Sequence, residues 1–125
     1  MQSTVLIVDD DTRFLSFLAR TLRRGGYAVL TANDGCEVPE VLSHTRVDVL
    51  ILDLQMPGMN GWEVIRSLRT EPLPPPPGRP KVVVVSGRSE DDTAAFVRRL
   101  GADAFLTKPC WGDQLLATVR QVLAN

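Results

Sequence analysis

The chain has 125 residues, enough for one domain with its own core, and its net charge of -1 gives no basis for a direct nucleic-acid or anionic-membrane partner. Hydrophobic residues make up 44% and charged residues 23%, an ordinary globular balance, and no apolar run approaches the roughly 20 residues that span a bilayer. Two cysteines, Cys36 and Cys110, make neither a disulfide framework nor a metal motif, and acidic residues begin at Asp9, too soon for the apolar region of a signal peptide, so the expectation is a reduced, cytoplasmic protein.

The first strand candidate, Thr4 to Val8, runs directly into Asp9, Asp10 and Asp11. Phe14, Leu15, Leu18 and Leu22 then recur at helical spacing until Gly25-Gly26 stops the pattern. A second strand is predicted over Ala28 to Thr31. Asp34 with Glu37 reads as a capping box, but Pro39 falls inside the helix it would open. That helix either starts near Val38, with Pro39 in its first turn, or is distorted. The single histidine, His44, near its end, reads as an ordinary surface or packing residue.

The third strand candidate, Val47 to Leu52, ends on Asp53, and Pro57-Gly58 and Asn60-Gly61 then turn the chain twice before Asn60 and Glu63 cap a third helix. The stretch from Pro72 to Pro80 holds six prolines in nine residues and is expected to be a stiff, extended spacer. It lies on a helix-to-strand connection, at the sheet end away from Asp53. Lys81 to Val85 contains four consecutive valines, as a strand covered on both faces requires, and Ser89 with Asp92 signals the next helix start. The fifth strand, Ala104 to Thr107, ends at Lys108-Pro109, and a last helix runs from about Gly112 to Leu123.

Five alternations of strand and helix predict a doubly wound α/β domain with a parallel sheet. In such sheets, functional groups collect beyond the carboxyl ends of the strands. Those ends carry Asp9, Asp10 and Asp11, then Asp53, then Ser86, then Lys108. Two carboxylates about 4.5 Å apart repel by about 4 kcal/mol at an effective dielectric near 20, so the cluster calls for a cation. Hard oxygen donors with no His or Cys among them suit Mg²⁺ rather than zinc. A carboxylate beside a cation, an amine and a hydroxyl can act as a nucleophile toward phosphorus.

The segments "VLIVDDD", "ILDLQMPGMNG", "VVVVSG" and "GADAFLTKP" resemble, in order and spacing, the receiver domain of a two-component response regulator, and the likeness covers essentially the whole chain, 1–125, as one domain. The resemblance implies a flavodoxin-like (βα)5 fold with strand order 2-1-3-4-5. It also implies that Asp53 is the phospho-acceptor, and that Asp10, Asp53 and the backbone carbonyl of Gln55 ligate Mg²⁺ while Asp9 holds a metal-bound water. Ser86 takes the hydroxyl position, Lys108 pairs with the phosphate, Phe105 is the switch aromatic, and the Lys108-Pro109 bond is cis. The implied phosphodonor is a sensor histidine kinase or a histidine phosphotransfer protein. The implied output is a partner protein or effector domain controlled through the fourth helix, fifth strand and fifth helix, a surface that also serves dimerisation. Arg98 and Arg99 are candidate contacts on it. The chain departs from the family pattern in its proline insertion and at Cys110, where a bulky apolar residue is usual, while Gln55 and Arg88 occupy positions that tune phosphoryl lifetime.

Two rival readings have specific requirements. An aspartate-nucleophile phosphatase needs a second carboxylate two residues after the nucleophile, where this chain has Gln55. A degenerate receiver acting as a constitutive interaction module would have lost an acidic, hydroxyl or lysine position, and none is lost. The chain starts at the first strand and stops with the last helix, so no effector domain is expected within it, and it reads either as a stand-alone receiver or as one excised from a larger protein. The resemblance implies a regulatory acceptor domain, not an enzyme acting on a separate substrate.

Overall fold

The computed structural model describes residues 2–54, 63–66, 79–87, 101–108 and 112–124. Five strands, β1 (Thr4–Val8), β2 (Ala28–Ala32), β3 (Val49–Asp53), β4 (Lys81–Ser86) and β5 (Ala104–Thr107), form one parallel sheet in the order β2-β1-β3-β4-β5. This is the flavodoxin-like, doubly wound arrangement expected from the alternation and the resemblance. The helices are α1 (Thr12–Arg24), α2 (Val38–His44) and the C-terminal α3 (Gly112–Ala124), with residues 63–66 also helical.

The central strands are apolar on both faces because both are covered. Val5, Ile7, Val49, Ile51, Val83 and Val85 pack against Leu15, Leu18 and Leu22 of α1 and Leu115, Val119 and Val122 of α3. On the other face Leu6, Val8, Leu50, Leu52, Val82 and Val84 pack against Val38 of α2 and Val64 and Ile65. Ile51 and Leu52 are 1% and 0% exposed on opposite faces, so truncating either to alanine costs about 2–5 kcal/mol.

Helix boundaries follow local chemistry. Asp11 caps α1, its carboxylate accepting from the backbone N–H groups of Arg13 and Phe14. At the other end Gly26 takes φ 96°, a conformation glycine adopts at no steric cost. There Tyr27 N–H donates to Leu22 C=O and Gly26 N–H to Arg23 C=O, which closes a Schellman motif. The Pro39 conflict resolves in favour of the later start. Asp34 and Glu37 do form a capping box, but over a 3-10 turn at Gly35–Glu37, and α2 follows with Pro39 in its first turn.

At the amino edge, two aspartates tie neighbouring strands together. Asp48 accepts from Thr4 N–H at 2.8 Å, and Asp103 accepts from Val82 N–H at 2.8 Å. The proline-rich segment enters β4 at this edge through Arg79 and Pro80, opposite Ser86; its remainder lies outside the described residues.

Candidate functional site

Strand alternation decides which groups meet at the carboxyl edge. Side chains alternate between faces, so Asp9 follows Val5 and Ile7, Asp53 follows Val49 and Ile51, and Lys108 follows Ala104 and Leu106. All three therefore arrive on the α1/α3 side of the sheet. The carboxylates of Asp9, Asp10 and Asp53 each offer an oxygen within 4.8 Å of the others. Asp9 and Asp53 are 2% and 7% exposed, whereas Asp10 is open to solvent.

Lys108 supplies the positive charge. Its Nζ donates to Asp9 Oδ2 at 2.8 Å and lies 3.5 Å from Asp53 Oδ2. Burial by itself would lower the Lys108 pKa. The hydrogen bond and charge of Asp9, and then the charge and hydrogen bond of Asp53, outweigh burial and raise it above the ordinary 10.5. The other Asp9 oxygen, Oδ1, accepts from Asp11 N–H at 2.9 Å, so the loop after β1 holds this carboxylate from a second side. Among the described residues no buried side-chain nitrogen or oxygen lacks a partner.

Ser86, 1% exposed, ends β4 in register with Thr107, and Lys108 N–H donates to its carbonyl at 2.7 Å. It continues the Val82 and Val84 face. Phe105, opposite Val84 in the register, is half-buried against that same cluster. Ser86 and Phe105 are thus diagonal neighbours on one face of adjacent strands.

The predicted site residues sort into three groups. The fold brings Asp9, Asp10, Asp53 and Lys108 into one cluster, with Ser86 at the adjoining strand end. Asp11, counted among the edge carboxylates, instead spends its side chain capping α1. The signal was present, since an aspartate directly before an apolar helical pattern is a capping signature. Gln55, the turns at Pro57-Gly58 and Asn60-Gly61, the Ser89/Asp92 cap, Arg88, Arg98, Arg99, Pro109 and Cys110 lie outside the described residues. One neighbour had no signal at all in the sequence pattern. The Phe14 ring of α1 lies beneath the Lys108 ammonium, 4.6 Å from Nζ to the ring centroid.

The structure thus sets clustered carboxylates at the sheet's carboxyl edge against a lysine that follows the last strand. The model of the response regulator receiver domain matches residues 5–120. Response regulator MprA of Mycobacterium leprae is 37% identical over 121 residues, covering 95% of this chain and 50% of that protein. The alkaline phosphatase synthesis transcriptional regulatory protein PhoP of Bacillus subtilis is 31% identical over 123 residues, covering 98% of this chain and 49% of that protein. The chain spans about half the length of the curated relatives it matches. Among solved structures, chemotaxis response regulator CheY4 of Vibrio cholerae matches with a TM-score of 0.86 at 28% identity, covering 98% of this chain and 99% of that one. No helix among the described residues is long and apolar enough to cross a membrane. With the family model spanning most of its length and the matching sheet order, the chain belongs to the response regulator receiver domain family, a signalling domain of two-component systems.

Proposed function

We propose that residues 1–125 act as one cytoplasmic receiver module, switched when Asp53 accepts a phosphoryl group from a histidine kinase or a histidine phosphotransfer protein. The observation that carries this reading is the cluster of Asp9, Asp10 and Asp53 carboxylates within 4.8 Å, with Lys108 set against it. Three hard oxygen donors with no His or Cys among them fit Mg²⁺. Asp10, Asp53 and the Gln55 carbonyl would hold the ion, with Asp9 acting through a bound water. The ion, when bound, offsets negative charge on the carboxylates and the phosphoryl oxygens.

The chain's own residues do the rest. The Asp53 carboxylate attacks phosphorus in line with the donor's leaving nitrogen, which departs with its bonding electrons. Lys108 meets the charge of the phosphoryl oxygens, and the Ser86 hydroxyl donates a hydrogen bond to one of them. Ser86 moving toward the phosphoryl group frees space for Phe105 to turn inward. This reshapes the surface of the fourth helix, fifth strand and C-terminal helix for an output partner or a second copy. The module regulates a partner and turns over no separate substrate.

Incubation with acetyl phosphate and Mg²⁺, read by intact mass, tests the assignment. One phosphoryl adduct is expected on the wild type and none on Asp53→Asn. An adduct of similar yield on Asp53→Asn, or one formed equally well in excess chelator, refutes it.

A further inference from the structure

The ring of Phe14 touches the Lys108 ammonium in a contact that the phospho-acceptor chemistry does not use. We infer that Phe14 is a positioning residue, whose ring face holds the Lys108 ammonium against Asp9 and Asp53 before a phosphoryl group arrives. The inference rests on the phospho-acceptor reading above and adds to it a residue from α1.

Three observations carry it. First, Lys108 Nζ lies 4.6 Å from the Phe14 ring centroid, inside the roughly 6 Å at which a ring's negative face attracts a cation. Second, ring and carboxylate belong to one locally braced unit. Asp11 donates its N–H to Asp9 Oδ1 and accepts the Phe14 N–H with its own side chain, at 2.9 and 3.2 Å. The group that binds the ammonium and the ring beneath it are therefore fixed relative to each other by the start of α1. Third, Lys108 follows the four-residue strand β5 and reaches the carboxylates on a flexible side chain. Its contacts with Asp9 and Asp53 set two distances, and the Phe14 ring adds a third point of contact for the ammonium. Phe14 is half-buried and also packs against the α1/α3 core, so its bulk and its ring charge need separate tests.

The probe is beryllofluoride with Mg²⁺, titrated into the full chain, alongside the proton shifts of the Lys108 ε-methylene. Phe14→Leu keeps apolar bulk and removes the ring, and is expected to weaken beryllofluoride binding roughly two- to fivefold. Phe14→Tyr restores a ring of similar charge and should bind as the wild type does. Replacing Phe14 with 3,4,5-trifluorophenylalanine keeps the shape while draining the ring face of negative charge. It should weaken binding nearly as much as leucine. In the wild type the ε-methylene protons should sit upfield from the ring current, and the Leu variant should lose that shift. Wild-type affinity in the leucine or trifluorinated protein, or a tyrosine variant as weak as leucine, overturns the inference. If the wild type binds no beryllofluoride, the phospho-acceptor reading falls instead. The methylene shift then decides the placement alone: its absence overturns it and its presence upholds it.

Discussion

Lys108 sits closer to Asp9 than to Asp53, 2.8 Å against 3.5 Å, and so binds the two most buried carboxylates of the site unequally. The ammonium side chain is 23% exposed, while those of Asp9 and Asp53 are 3% and 9% exposed. Removing the cation would take the Lys108 charge away from two carboxylates in a poorly solvated corner. Breaking a buried pair costs about 3–5 kcal/mol, and the open mouth of this site lowers that figure. Lys108→Met is therefore expected to lose about 2 kcal/mol of stability without metal. Because Mg²⁺ can replace the lost charge, it should restore more stability to the variant than to the wild type. Urea unfolding with chelator and with Mg²⁺ measures both. A variant as stable as the wild type in chelator would show that the pair contributes nothing.

The raised pKa of Lys108 makes a pH prediction with a fixed sign. Burial lowers the value, the bonds to Asp9 and Asp53 raise it further, and the net folded-state pKa lies above 10.5. The protonated lysine binds its proton more tightly in the folded chain. Its contribution to stability is thus complete below pH 10.5 and fades as pH rises through the folded value. In metal-free protein, the difference in unfolding midpoint between wild type and Lys108→Met should be constant from pH 7 to 9 and should narrow above pH 10.5. A difference that narrows below pH 9 contradicts this assignment.

The strands were legible because short, continuous apolar runs and glycine stops act locally, whereas the sheet order came only from the family resemblance. All five strands match the expected segments within two residues at each end. The largest discrepancy, Val47 against Val49 for the start of β3, has a physical cause. Val47 is buried like a strand residue, but Asp48 turns its carboxylate to Thr4 N–H, and the paired ladder runs from Val49. Within the site, Asp9, Asp53, Ser86 and Lys108 were legible because each ends a strand. The contrasting duties of the aspartates were not. Asp11 caps a helix, Asp48 and Asp103 tie strands at the opposite edge, and Asp9 holds a lysine, although composition treats them alike. The place of Phe14 depends on how α1 lies across the sheet, a long-range packing result that no local pattern encodes.

Asp10 differs from its neighbours in being open to solvent. Its repulsion from Asp9 and Asp53 is therefore screened, and Asp10→Asn should raise metal-free stability only by about 0.5 kcal/mol. The larger effect lies in the response to metal. Mg²⁺ stabilises a folded protein to the extent that its concentration exceeds its dissociation constant for that state, so losing a ligand should largely abolish the Mg²⁺-induced rise in unfolding midpoint. A wild-type Mg²⁺ response in Asp10→Asn would exclude Asp10 as a ligand.

The last prediction concerns how Ser86 and Phe105 communicate. Val84 stands opposite Phe105 and Ser86 opposite Thr107, so two residues along β4 separate the hydroxyl from the ring's partner on the same sheet face. Ser86 is 1% exposed, whereas Phe105 is only half-buried, which leaves the ring a more buried position to take up. A phenyl ring has no hydroxyl to satisfy, so moving inward avoids the roughly 1–3 kcal/mol cost of an unpaired polar group. Beryllofluoride with Mg²⁺, standing in for the phosphoryl group, should shift the amide resonances of Phe105 and of residues near Asp53. In Ser86→Ala the shifts near Asp53 should remain, because the carboxylates and Lys108 are intact, while those at Phe105 should shrink by at least half. Full-sized shifts at Phe105 in Ser86→Ala would mean that the hydroxyl is not the link. The backbone bond from Lys108 N–H to the Ser86 carbonyl, which alanine preserves, would then be a candidate tie between the two strand ends.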